Sequence, residues 1–215
     1  MDLFDAIYTA RTIRRLKPDP IPDDVITRVL DAAIRAGSAN NNQNWVFLVV
    51  TDSTVRTKLG DIYRKGAEGL RYNFEQGTFA PHVSAGERER HYASARHLME
   101  HFHEAPVILI PCIRPVSTEP VPAAMKDYIN HLTYASIFPA IQNIVLACRE
   151  FGLATVLTTV HMLFEDEVRR ATGIPADVQT FAMMPIGYPE DPFRRILRLP
   201  VRKVAFRDRW NNPWK

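Results

Sequence analysis

Two polar clusters near the start of the chain have residue types and spacings that could do chemistry: Arg11-Thr12-Ile13-Arg14-Arg15 and Ser38-Ala39-Asn40-Asn41-Asn42-Gln43-Asn44-Trp45. Guanidinium groups grip phosphate through paired N–H donors, and the Thr12 hydroxyl adds one more. Arg11 and Arg14 are three apart and would share a face of any helix that ran that far, with Arg15 turned aside. A solvated basic helix end, favoured by the helix dipole, is the simpler use of such a cluster. The second cluster holds four Asn and a Gln. That is more than a turn requires, although Asx turns at a helix terminus remain the plain alternative. Neutral donors and acceptors at that density suit the edge of a heteroaromatic ring and a sugar-like chain. A molecule with a phosphate, a polyol and a hydrogen-bonding ring would satisfy both clusters, and flavin mononucleotide (FMN) is such a molecule.

The elements that must position these clusters follow from periodicity. Residues 2–10 read as a short helix, with Leu3, Ile7 and Ala10 on one face. Lys17-Pro18-Asp19-Pro20-Ile21-Pro22 is held extended by its prolines. Asp23 or Asp24 is expected to cap a helix that carries Val25, Ile26, Val29, Leu30, Ala33 and Ile34 at helical spacing and stops at Gly37. Trp45–Val50 is apolar on both faces and reads as a central strand. A short helix near Ser53–Tyr63 precedes a polar, His-rich stretch over 64–104, expected to be a mobile excursion with one or two helices, a lid over a site. Further strands are expected at Val107–Ile113, Leu153–Thr159 and Val178–Ile186, with helices at Thr133–Phe151 (Pro139 near its start or kinking it) and Glu165–Thr172. Residues 201–215 read as an extended basic and aromatic tail. Helices and strands intermix, so the expected class is α+β, a central, mostly antiparallel sheet flanked by helices in one domain spanning 1–215.

Composition narrows the function classes. The 215 residues are 46% hydrophobic and 24% charged, with a net charge of +3, as in an ordinary globular protein. That charge is too small to argue for nucleic acid. The excess is nevertheless uneven: Arg194, Arg195, Arg198, Arg202, Lys203, Arg207, Arg209 and Lys215 face only Asp208 after residue 193, which favours an anionic partner. Cys112 and Cys148 sit in apolar runs and read as buried, inert thiols. The N-terminus lacks a basic start and an apolar core, and the apolar stretch Leu132–Cys148 is broken by polar residues. A cytoplasmic protein without a membrane span is expected. Dinucleotide, P-loop, nucleophile-elbow and C-x-x-C signatures are missing. His97 and His101 have the spacing of zinc ligands, but no third ligand is evident and no metal is expected.

The order of motifs is specific. A helix, Arg11–Arg15, Pro18-Asp19-Pro20-Ile21-Pro22, an amphipathic helix, Ser38-x-x-Asn41-x-Gln43-x-Trp45 and a strand together resemble the nitroreductase family of FMN-dependent oxidoreductases. Gln142-Asn143-Ile144-Val145-Leu146-Ala147 followed by Gly152-Leu153-Ala154-Thr155 is similar to a second family segment. Met184-Pro185-Ile186-Gly187-Tyr188-Pro189, then Arg198-Leu199-Pro200-Val201 leading to Val204, is similar to a third. Ala10, Gly37 and Asn44 depart from the pattern, standing where the family has Arg, Pro and Pro. The resemblance covers most of the chain outside 64–104. It implies that Arg11, Thr12 and Arg14 hold the FMN phosphate and ribityl chain, joined by Arg198, with Arg15 a candidate to stand in for the Arg missing at Ala10. It further implies that Ser38, Ala39, Asn41 and Gln43 approach the flavin from the partner subunit of a homodimer, and that Leu157, Thr158 and Thr159 pass the flavin N5 edge. The activity implied is hydride transfer from NAD(P)H to FMN and then, in ping-pong fashion, to a nitroaromatic, quinone or similar acceptor. Tyr63, Tyr72, Phe74, Phe79 and Tyr92 would shape the acceptor pocket or pack the lid. No catalytic acid or base is assigned. The rival classes are a flavin-binding protein without reductase turnover, a metal-dependent hydrolase built on the 97–103 histidines, and a nucleic-acid-binding module using the tail.

Overall fold

The computed structural model describes residues 1–75, 83–116 and 122–214, without the side chains of 71–75. Helix α1 (Leu3–Thr9) starts at Asp2, whose carboxylate accepts the Phe4 and Asp5 N–H groups, satisfying donors that a helix start leaves unpaired. It stops at Ala10, so the arginine cluster lies in irregular chain rather than on a helix face. Helix α2 (Asp23–Ala33) departs from expectation at both ends. Pro22 is its N-cap, with no side-chain cap bond, and the helix closes at Ile34, three residues before Gly37. Asp23 and Asp24 fall in the first turn, where they still complement the positive helix end.

Strands β1 (Trp45–Val50) and β2 (Val107–Ile113) pair antiparallel, from Trp45 opposite Ile113 to Val50 opposite Ile108. Strands β3 (Ala154–Thr155), β4 (Gln179–Thr180) and β5 (Met184–Gly187) complete a five-stranded antiparallel sheet in the order β1-β2-β5-β3, with β4 also on β2. Successive residues of β2 face opposite sides. Val107, Leu109 and Ile113 join Ile26, Val29, Ile137, Ile141 and Ile144 in one core. Ile108, Ile110 and Cys112 join Leu59, Leu98, Phe102 and Val168 in the other. β1 splits in the same way: Trp45, Phe47 and Val49 pack on the first core and Val46, Leu48 and Val50 on the second. Its apolar character therefore reports two covered faces, not two neighbours, and among the described residues β1 is an edge strand.

The helices correct the expected boundaries. α3 (Ser53–Glu75) runs well past Tyr63. Gly66 does not break it: a Cβ there would lie 2.5 Å from Val160 Cγ1, so the glycine permits close packing at a small helix-propensity cost. α4 (Ala85–His101) has a capping box between Ser84 and Glu87 and buries Leu98, with Phe102 just beyond its end. The described residues of the 64–104 stretch are thus largely helical, and α4 packs on the core through Leu98. α5 (Lys126–Glu150) begins two turns before the expected Thr133 and carries Pro139 in its interior. α6 (Glu165–Thr172) ends at Gly173 in the left-handed region, the usual helix stop. The strand expected over Val178–Ile186 divides into β4 and β5, and the one over Leu153–Thr159 is reduced to β3 plus a bridge from Thr158 to Met183. The tail is not wholly extended; it contains a 3-10 turn at Val201–Lys203 and a bridge between Phe206 and Pro213. Among the described residues no helix is long and apolar enough to cross a membrane.

Candidate functional site

A groove of about 870 Å³ lies where the end of α1, α4, α5, β3 and the tail meet. The N-terminal segment contributes Tyr8, Arg11, Thr12 and Arg14. α5 and β3 supply Gln142, Val145 and Thr155, followed by Leu157. Glu87, Arg90, His91 and Ser94 of α4 form one wall, and the tail adds Arg198. Of the residues expected from sequence, the groove therefore gathers Arg11, Thr12, Arg14, Leu157 and Arg198, although Arg198 is distant from the others in the chain.

Arg14 is the least ordinary of these. It is half-buried, with Nη1 3.5 Å from Ser94 Oγ, and no carboxylate lies within ion-pair distance among the described residues. Burial lowers its pKa from the usual value, partly countered by neighbouring Tyr63. Tyr63 itself is pushed up to about 12 by burial, against the pull of Arg14, and stacks on Phe102 at 4.3 Å. Tyr63 is therefore a core residue beneath the groove rather than part of an acceptor pocket. A desolvated guanidinium without a counter-charge is costly and favours an anion in the groove.

The floor carries a second unmet group. Thr155 is 5% exposed and its Oγ1 has no hydrogen-bond partner, contrary to the usual rule for buried hydroxyls. The donor set (guanidiniums, the Thr12 hydroxyl, the Gln142 amide and this hydroxyl) fits a ligand with a phosphate at one end and polar carbons or ring edges beyond it. Sequence reasoning named Gln142 and Thr155 within motifs without assigning them to the site. It missed the α4 wall, whose signal was the helical spacing of Glu87, Arg90, His91 and Ser94.

None of Ser38, Ala39, Asn41 and Gln43 lines this groove. Their loop is held by its own bonds: Ser38 Oγ accepts the Gln43 N–H at 2.9 Å, Gln43 Nε2 donates to Asn41 Oδ1 at 3.0 Å, and the Ala39 N–H donates to Ser136 Oγ at 3.0 Å. Trp45 Nε1 donates to the Ser136 carbonyl, tying the loop to α5. Asn40, Asn41 and Gln43 adopt positive φ of 52°, 54° and 47°, a conformation that Asn tolerates better than most residues. Within the loop the Asn41 and Gln43 carboxamides thus bond each other, and the side chains of residues 40–43 remain exposed.

In the 157–159 segment, Leu157 reaches the groove. Thr158 is buried, with its hydroxyl donating to the Met183 carbonyl at 2.7 Å, and Thr159 is exposed. Arg15 does not line the groove; it reaches His97 Nδ1 at 3.5 Å. His97 stacks on His101, which contacts Glu104. No group of three or more His, Cys, Asp or Glu among the described residues could hold a metal. Cys112 and Cys148 are buried, and burial pushes both thiols up to about 12. Tyr92 is partly buried on α4; Phe79 and the side chains of Tyr72 and Phe74 lie outside the described residues.

Residues 7–188 match the nitroreductase family. A Methanothermobacter thermautotrophicus protein named for NADH dehydrogenase or NAD(P)H nitroreductase is 31% identical over 206 residues, 94% of this chain and 85% of its own. A solved iodotyrosine deiodinase bound to FMN and 3-iodo-L-tyrosine superposes with a TM-score of 0.71 at 22% identity, covering 97% of this chain and 99% of its own. An FMN- and NADPH-dependent nitroreductase from sphigopyxis sp. strain HMH gives 0.70 at 19% identity, with coverage of 97% and 99%. With the antiparallel sheet, the flanking helices and the family match over most of its length, this chain belongs to the nitroreductase family.

Proposed function

We propose that the chain acts as one FMN-binding domain and is an NAD(P)H oxidoreductase that passes electrons to a nitroaromatic, quinone or similar small acceptor. The observation that carries this is the half-buried, uncompensated Arg14 sharing a groove with Arg11, Arg198, Thr12 and the unpartnered Thr155 hydroxyl. Bound FMN would supply the chemistry, taking a hydride from a nicotinamide and delivering it to the acceptor. Arg11, Arg14 and Arg198 would hold the phosphate, and Thr12 would add a donor at the ribityl end. Thr155 and Gln142 would meet the polyol or ring edge from the floor. The α4 wall would limit water access, and nicotinamide and acceptor would use the same open face in turn, a ping-pong order. No side chain is assigned as acid or base.

The reading includes a homodimer. The groove lacks the carboxamide loop that the sequence pattern associates with the flavin, so Ser38, Ala39, Asn41 and Gln43 would reach it from a second copy. Exposed Leu3, Phe4, Tyr134, Phe138, Leu197 and Trp210 supply apolar surface for that contact. An absorption spectrum of the purified protein, taken before and after anaerobic NADPH and then NADH, tests the function. Flavin bands that bleach support it; retained flavin that neither nucleotide bleaches favours a flavin-binding role without this turnover. Replacing Arg14 with Glu is expected to strip FMN, and full occupancy in that variant would overturn the phosphate assignment.

A further inference from the structure

Resting on the flavin reading, we infer that Arg90 of α4 reads an anionic group (carboxylate, phenolate or phosphate) on the reactant that enters the groove beside FMN. The α4 wall presents Glu87, Arg90, His91 and Ser94, spaced to share one helix face. The single acid among them is already committed: Glu87 Oε2 accepts Ser84 N–H at 2.8 Å and Ser84 Oγ–H at 2.6 Å, closing the capping box at the positive end of α4. His91 is disposed to stay neutral, because burial and then the charge of Arg14 lower its pKa. Arg90 is the standing positive charge of this wall, one turn from a Glu87 carboxylate that is held by Ser84. It is exposed, and no carboxylate lies within ion-pair distance of it among the described residues. Its guanidinium lies back over Gly86, where a Cβ would sit 3.6 Å from Nη1.

Position separates Arg90 from the phosphate cluster. Ser94 of α4 lies 3.5 Å from Arg14, and Arg90 lies four residues earlier, roughly 6 Å along the helix axis. A phosphate monoester brings about two negative charges, which Arg11, Arg14 and Arg198 more than offset. Arg90 is a cation in excess, one helical turn from the Ser94 that lies beside Arg14 and facing the same open groove. An anionic group on a second reactant would complete it with a charge-assisted hydrogen bond.

The test uses FMN-loaded protein, with nitrobenzene and 4-nitrobenzoate as acceptors and NADH and NADPH as donors. In Arg90→Gln, the ratio of kcat/KM for 4-nitrobenzoate over nitrobenzene is expected to fall about tenfold, the scale of one such bond. Arg90→Lys should restore part of it. A fall confined to the NADPH over NADH ratio would support the same role with the nucleotide phosphate as the anion. Both ratios within twofold of the parent, with FMN still bound and reducible, would overturn this inference alone. Failure of the parent protein to take up FMN would overturn it together with the flavin reading.

Discussion

In the groove, Arg14 and Thr155 are the two residues whose polar groups lack a protein partner to match their burial, one a desolvated cation and the other a desolvated hydroxyl. They lead to opposite expectations for stability and binding. Replacing Thr155 with Val removes a buried hydroxyl that has no partner, so the apo protein should melt at the same temperature or higher. The same change should weaken FMN binding by about 1 kcal/mol, roughly fivefold, because the hydroxyl is completed only by the cofactor. Thr155→Ser should retain most of the affinity. Flavin-fluorescence titration alongside thermal melting measures both; a destabilised variant with parental affinity would show that the hydroxyl serves the fold alone. The arginine and carboxamide clusters were legible because their side-chain types are unusual at that density. Thr155 was not legible as a site residue, since nothing in its neighbourhood announces that a strand threonine will lack a partner.

At the scale of elements, the segment after the groove is anchored by a buried relay. His161, in the 3-10 turn Val160–Phe164, is 0% exposed and its Nε2 is 3.1 Å from Thr180 Oγ1. The Thr180 hydroxyl donates to Glu165 Oε1 at 2.6 Å, so His161 Nε2 carries the proton and donates to Thr180. Arg169 donates to Glu165 at 2.8 Å, tying the 3-10 turn, β4 and α6 together. Burial lowers the His161 pKa to about 4, against the pull of Glu165. Burial also pushes the Glu165 carboxyl up, but hydrogen bonds from Thr180 and the charges of Arg169 and His161 outweigh it and hold the group below its usual value. The folded state thus binds fewer protons than the unfolded state over this range. The His161 contribution is fully present above about pH 6.5 and is lost as pH falls toward about 4, a difference of up to roughly 3 kcal/mol. Denaturant midpoints measured across that window should fall with acidification in the parent and less steeply in His161→Gln; equal slopes would remove His161 as the cause.

For the whole molecule, the single chain presents half of the expected site. Its arginine groove and its carboxamide loop do not meet, and exposed apolar side chains remain along α1, α5 and the tail, with Leu197 83% and Trp210 82% exposed. On the proposed reading a second copy buries them, with each carboxamide loop meeting the other chain's groove, since a two-fold axis offers each surface twice. Sedimentation at decreasing concentration should show dimer dissociation accompanied by FMN release. Trp210→Asp should shift both transitions to higher protein concentration. A monomer that retains FMN at full occupancy would overturn the shared site.

The family and the α+β class were legible along the chain, because hydrophobic period and local residue chemistry are carried by neighbours. The sequence also placed Trp45–Val50 and Val107–Ile113 correctly as strands with two covered faces. It could not show that β1 lies at an edge, since side-chain pattern records which faces are buried and not which backbone groups are paired. Nor could it show that Gly66 lies inside a helix, because a glycine that ends a helix and one that admits Val160 look alike until the second element arrives. The family resemblance had already put Arg198 with Arg11 and Arg14, and the groove brings them together; only the packing showed that Arg15 turns toward His97 and that α4 walls the groove. Those relations depend on how distant segments pack, and no short-range pattern encodes them.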